Sequence, residues 1–400
     1  MKYRFPVEWK IQSFKKIADV VTGTTPSTNH PEYYGNSIPF IGPSELGGIE
    51  PIIKSTKNLS DEGAKQARLL PRESVLVCCI GATIGKIGFA GTELATNQQI
   101  NALVCNKNIV FPRYVFHYCQ TLISLFRHEG ASTTLPLLPK GRFQEIEIPI
   151  PPIAEQKRIA EILDRTQSLI SKRKEAIAKL DTLTQSIFLE MFGDPELKGW
   201  HIETVNNVVH PSKGSIRTGP FGSQLLHSEF VTEGIAVLGI DNAVANEFRW
   251  GERRFISEAK YQELKRYTVK PNDVIITIMG TCGKCAIVPE DIPLSVNTKH
   301  LCCITLNQKK CLPRFLQAYF LFHPISNRYL EQTKKGAIMS GLNMSIIQAM
   351  PIFCPPLALQ KEFAQRVEAV EKLKATHRAS LSQLEALFAS LQHRAFRGEL

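Results

Sequence analysis

The chain lacks a long hydrophobic run. Its longest uncharged apolar stretches, Val75–Gly85 and Val274–Gly283, are about half of the roughly 20 residues a membrane-spanning helix needs. The opening MKYRFPVEWK has no apolar segment of the kind a secretory signal carries. Without an export signal the ten cysteines are expected as reduced thiols, and the expected compartment is the cytoplasm. Common catalytic signatures are missing as well. The ten histidines form no HExxH and no close His/Asp/Glu cluster, and no GxSxG elbow is present. No Asn/Asp-Pro-Pro-aromatic tetrapeptide occurs, because the two Pro-Pro pairs follow Ile150 and Cys354.

Three near-motifs have simpler readings. Gly81-Ala82-Thr83-Ile84-Gly85-Lys86 is one residue short of a phosphate loop, with Ile87 where Ser or Thr is required, and Gly280–Lys284 is shorter again. Both read as tight turns after a buried strand, presenting a lysine and backbone amides. Cys282-Gly283-Lys284-Cys285 has zinc spacing, with Cys302-Cys303 downstream. Adjacent strand residues point to opposite faces, and the matching turn near Gly81 has no cysteine, so these are expected as core thiols and no metal is expected. Asp194-Pro195-Glu196-Leu197-Lys198 reads as a helix stop. The chain is therefore expected to hold no catalytic residues and no cofactor of its own.

What the sequence does have is positive charge, evenly spread. Its 48 Lys and Arg against 37 Asp and Glu give +11, split as +5 over residues 1–193 and +6 over 194–400. Such a balance suits a polyanionic partner. With 43% hydrophobic and 21% charged residues, the composition is that of a folded protein of two or more domains.

The chain also repeats itself. Pro151-Pro152-Ile153-Ala154-Glu155-Gln156-Lys157 returns as Pro355-Pro356-Leu357-Ala358-Leu359-Gln360-Lys361, and the offset of 204 holds without a gap for about forty residues. Upstream anchors follow in the same order: Trp9 and Trp200, Gly23 and Gly219, Val75–Lys86 and Val274–Lys284, Asn97 and Asn297, Pro112-Arg113-Tyr114 and Pro313-Arg314-Phe315. The layout is domain, connector, domain, connector, with bounds 1–150, 151–193, 194–354 and 355–400.

The connectors read as long helices, opened by proline. Apolar residues recur at 4-3 spacing: Ile159, Leu163, Ile170, Ile177, Leu180 and Ile187 in the first, Phe363, Val367, Val370, Leu381, Leu384, Phe388 and Leu391 in the second. That period is a coiled-coil seam, with polar breaks near the middle of each. The helices are expected to pack on each other, antiparallel if a pseudo-two-fold relates the repeats. About 38 residues make a rod of roughly 57 Å. The upstream domains show short β-type runs broken by Gly/Pro/Asn/Ser turns, with helices near Pro112 and Pro313, and are expected to be α+β (α/β-like).

Two variable domains alternating with two similar long helices, each opened by Pro-Pro-x-x-x-Gln-Lys, resemble the DNA-specificity subunit of type I restriction–modification systems. The likeness spans the chain. It is carried by Pro151–Ala160 with Ile/Leu heptads ending Phe188-Leu189-Glu190-Met191-Phe192-Gly193, by the second connector copy ending Ala395–Leu400, and by the Gly-Ala-Thr-Ile-Gly-Lys and Thr96-Asn97-Gln98-Gln99 strings. The resemblance implies two target-recognition domains, each reading one half of a split double-stranded DNA sequence, with the helices as spacer. It implies two methyltransferase (modification) subunits docked on the helical regions, and restriction/translocase subunits that complete an ATP-dependent nuclease. S-adenosylmethionine, ATP and magnesium would then sit on those partners.

Base reading calls for Arg, Asn or Gln, with Ser, Thr and Lys as adaptable or phosphate-facing partners. Candidates are Thr24, Ser27, Lys86, Gln98, Gln99, Lys140 and Arg142 in the first domain. In the second they are Arg217, Ser223, Lys284, Thr298, Lys299, Lys334, Lys335 and Asn343. Asn97 and Asn297 fit a turn cap as well as a base reader. The alternative function is a coiled-coil scaffold whose repeated domains bind protein partners.

Overall fold

The computed structural model describes residue 6 and residues 8–130, 136–335 and 341–400; for Lys334 and Lys335 it describes the helical backbone alone. The chain divides into two compact units, residues 1–175 with 378–400, and residues 176–377. Each of two long helices, Ile153–Phe192 and Leu357–Ala395, therefore contributes one end to each unit.

In the first unit an antiparallel sheet runs in the order Ala18–Thr22, Ile100–Cys105, Val75–Cys78, Ile87–Phe89. The Val75 run is apolar throughout because both its faces are buried. Val75, Val77 and Cys79 enter one core cluster, and Leu76 and Cys78 enter another, as the two-residue period of a strand requires. A second sheet, of five short strands, places Ile38–Ile41 parallel to Leu94–Thr96.

The second unit repeats this plan. Ile216–Thr218, Leu301–Ile304, Val274–Thr277 and Cys285–Ile287 form the antiparallel sheet. Ile235–Leu238 runs parallel to Ser295–Asn297 and is edged by Phe255–Ile256. Cys302 and Cys303 go to opposite faces, one into each core cluster. Burial pushes the thiols of Cys285 and Cys302 upward, Cys302 to about 12.

The hydrogen bonds also correct one sequence pairing. Asn97 N donates to Ile41 O, and Thr298 N donates to Leu238 O; Ile41 pairs with Thr96, and Leu238 with Asn297. Asn97 thus corresponds to Thr298, and Asn297 to Thr96. The two asparagines occupy different positions because the loops between the anchors differ in length.

The Pro-Pro-x-x-x-Gln motif pins each long helix to the domain before it. The Gln156 side chain, fully buried, accepts from Phe111 N (2.7 Å) and donates to Ile109 O and Pro151 O. Gln360 does the same with Leu312 N (2.8 Å), Lys310 O and Pro355 O. Every polar atom of a buried amide is thereby spent on orphan backbone groups.

Within each unit the helices pack antiparallel. In the first, Ile159 and Leu163 share a core with Phe388, Leu391, Ala395 and Phe396. Phe396 sits on Tyr114 and Tyr118 at 5.3 and 5.1 Å between ring centroids, and Lys174 pairs with Glu385 at 2.9 Å. In the second, Phe188 and Phe192 join Phe363 and Phe315 in an aromatic cluster. There Lys374, 7% exposed, reaches Asp181 and Glu371. The remaining seam residues, Ile170, Ile177, Leu180, Ile187, Val367, Val370, Leu381 and Leu384, are buried or half-buried. The unit boundary falls beside Arg173 and His377, the polar breaks in the two seams.

Candidate nucleic-acid interface

In each domain the same loops converge at one end of the sheets. Gly23, at the end of the first sheet strand, lies so close to the Thr96–Asn97 turn that a Cβ would come within 2.2 Å of Asn97 O; Gly219 meets Asn297 O at 2.1 Å. No side chain fits there, so only glycine allows the approach. The turn after the central strand joins the same corner: Cys79 N donates to Gln99 O, and Ile278 N to His300 O, both at 2.8 Å. The segment before a short helix (Lys140–Gln144, or Met344–Ala349) closes it, with Leu138 N bonded to Cys79 O and Leu342 N to Ile278 O. Four segments per domain are thus locked together by backbone bonds.

The candidate residues fall into two groups. Gln98 and Lys299 are exposed at the tip of the turn, and Gln98 accepts from Thr25 Oγ1. Gln99 and His300 stand beside them, half-buried. Burial, then the positive charges of Lys299 and Arg254, holds the His300 imidazole below its ordinary value, so at pH 7 it is a neutral donor and acceptor. Thr24 and Ser27 lie in the Gly23 loop, Thr24 Oγ1 accepting from Arg68 N at 3.1 Å and Ser27 capping Asn29 N. Ser223 and Lys140 are exposed, Lys86 and Lys284 half-buried, and Arg142 is exposed and paired with Glu129 at 3.1 Å.

Other candidates are committed to the fold. Arg217, 8% exposed, donates to Thr268 O, Gly214 O and Thr305 and pairs with the fully buried Asp273. Asn297 is buried and donates to Leu301 O at 3.2 Å. Asn343 caps the helix that follows it through Ile346 N, and Asn97 closes an Asx turn onto Gln99 N. The side chains of Lys334 and Lys335 lie outside the described residues.

One set went unnoticed in the sequence. Phe40 N donates to Lys57 O and Val237 N to Arg254 O, both at 2.9 Å, so Lys57 and Arg254 hold equivalent positions. Gly42 N is capped by Glu45 and Gly239 N by Asn242, which makes Ser44 and Asp241 equivalent too. All these pairs share an offset of 197, different from the 204 of the connectors, and the paired residues differ in type.

The sequence pattern described as the type I restriction modification DNA specificity domain matches residues 6–180 and 237–386. The chain belongs to that family. Among similar members, the MjaIX specificity subunit of Methanocaldococcus jannaschii is 24% identical, with 99% of this chain and 94% of that protein aligned. The EcoKI specificity subunit of Escherichia coli is 23% identical over 99% and 90%. The type I specificity-subunit fold is shared with a structure from a study of complex assembly and conformational transition of the type I R-M system (TM-score 0.62, 17% identity, 100% of both chains). The S subunit of M. genitalium also shares it (TM-score 0.59, 14% identity, 99% and 98% covered). Among the described residues no helix is long and apolar enough to cross a membrane.

Proposed function

We propose that this specificity subunit reads a split, asymmetric double-stranded DNA sequence, one half with each domain, and contributes no catalytic group. One observation carries the reading. The same backbone corner is built twice and furnished differently: Ser44, Lys57, Gln98 and Gln99 in the first copy, Asp241, Arg254, Lys299 and His300 in the second. A repeated frame with different polar side chains suits two readers of different bases, which one chain can join without the palindrome a symmetric dimer would demand.

The long helices then act as spacer and as the platform for methyltransferase subunits, which would carry S-adenosylmethionine and methylate adenine, with restriction/translocase subunits using ATP and magnesium. An apolar edge on the helix pair supports docking. Leu169 and Leu387 in the first unit are 52% and 49% exposed; Leu183 and Leu373 in the second are 43% and 47%. Each immediately precedes a seam position, whereas Lys174 and Glu385 each follow one. The leucines therefore lie along the edge opposite that ion pair. Apolar residues at seam plus one edge are the pattern of a helix that faces a larger bundle.

Methylome sequencing of cells expressing the complex, with and without this chain, tests the reading. A split adenine-methylated motif that vanishes with the chain is the expected result. Exchanging residues 10–150 for those of a relative should change one half of the motif only; a change in both halves would refute modular reading. A scaffold for proteins, the alternative, would show DNA affinity that does not fall steeply with salt.

A further inference from the structure

Three paired arginines of this chain can be compared. Arg113 spends Nε on both carboxylate oxygens of Asp164 and Nη2 on Asp164 and Ile49 O, with its guanidinium over Phe116 at 4.4 Å, and only its buried Nη1 lacks a partner. Arg217 is exhausted by the bonds described above. Arg254 differs. It gives only Nη2 to Asp241 Oδ1, at 2.7 Å, while its Nε and Asp241 Oδ2 are buried without a partner. An Arg–Asp pair that served the fold would be expected to use the bidentate geometry open to it. Both side chains remain about one-third exposed.

The pair is also held in place. The backbone of Gly251 packs so tightly on Asp241 that a Cβ there would come within 2.1 Å of Oδ2. Arg254 itself is fixed through its carbonyl to Val237. An arginine restrained by a carboxylate and a packed loop loses little rotamer freedom when it meets a ligand. Its surroundings are the Thr298–His300 turn, whose Thr298 Oγ1 is likewise buried and unpartnered, with the exposed Lys299 beside it.

We infer that Arg254, oriented by Asp241, is a base-reading residue of the second domain and takes a guanine through its O6 and N7 acceptors. This rests on the reading of the chain as a DNA-specificity subunit. Guanine is the base whose major-groove edge offers two acceptors to a guanidinium fork. The first domain, with Ser44 and Lys57 at the equivalent positions, lacks the fork and reads its half-site by other means. The difference between the two halves of the target therefore includes this position.

The test uses the assembled modification complex carrying the wild-type chain, Arg254→Ala, Arg254→Lys or Asp241→Asn. Methylome sequencing defines the motif, and competition binding uses duplexes substituted at each position in turn, with a thermal melt of each complex. The expected result is that both Arg254 variants lose discrimination at one guanine in the second half-site, by roughly 5- to 150-fold. The first half-site stays unchanged, and Asp241→Asn shows a smaller loss at the same guanine. An unaltered motif for Arg254→Ala would overturn the inference. So would equal weakening on every duplex, which marks a phosphate contact, or a collapsed melt for both variants, which marks a structural pair. If the wild-type complex itself yields no motif and no sequence-dependent binding, the parent reading fails instead, and this inference with it.

Discussion

At the scale of single residues, the polar groups divide by how fully their bonds are spent. Asp164 joins the first long helix to the Pro112–Thr121 helix through Arg113 and the fully buried His117. Burial pushes its carboxyl up, but the hydrogen bonds from His117 and Arg113 outweigh that and hold it below the usual carboxylate range. The folded-state value being depressed, the contribution to stability is complete above about pH 4 and is lost as pH falls through the folded-state value. Asp164→Asn should therefore remove that acid-side loss and cost about 1–3 kcal/mol at neutral pH, measured by urea denaturation at pH 3 to 7. Arg217→Ala strands the buried Asp273 carboxylate and should destabilise by about 3–5 kcal/mol in the same assay. Arg217 thus serves the second domain's core, although its residue type and its place near the Gly219 loop suggest a base contact.

At the scale of elements, the two buried glutamines show why the connector motif has its form. Gln156→Leu leaves Phe111 N and Ile109 O without partners, and the cost should be about 1–3 kcal/mol per stranded group; Gln360→Leu should match it. A denaturation midpoint unmoved by either variant would show that the helix starts are held by packing alone. The seam itself was legible, because a 3.5-residue period survives any tertiary context in which two helices meet. Lys374, by contrast, occupies the seam position that Ile170 holds in the first copy. A buried lysine costs stability and fixes alignment. Lys374→Ile should raise the thermal midpoint while weakening the preference for a single register, seen as broadened helix resonances or mixed oligomers.

At the scale of the whole molecule, the two ends of each long helix lie in different units, and the proposed spacer role makes the target gap a function of helix length. Deleting one heptad from each helix shortens each by about 10.5 Å, or roughly three base pairs. The methylated motif should keep both halves and lose about three bases of spacer; an unchanged gap would refute the ruler. The exposed leucine edges give the docking test. Leu169→Glu with Leu387→Glu should abolish capture of one methyltransferase subunit, and Leu183→Glu with Leu373→Glu the other. Mass measurement of the assembled complex reads the stoichiometry directly.

The sequence by itself determined the internal repeat, the alternation of domain and helix, the seam and the membership of its buried face. These are set by local period and composition, which act wherever the chain goes. It did not determine which polar residues converge. Asn97 and Asn297 look paired by spacing, yet strand register makes Thr298 the partner of Asn97. Arg254 and Lys57 differ in residue type, yet equivalent backbone bonds bring them to the same corner. Only the folded sheets decide this, because loops of unequal length carry residues to positions fixed by hydrogen-bond register and by the close approach at Gly23 and Gly219. Whether an arginine is bonded on every side, like Arg217, or makes a single bond to its carboxylate, like Arg254, depends on partners brought from elsewhere in the chain.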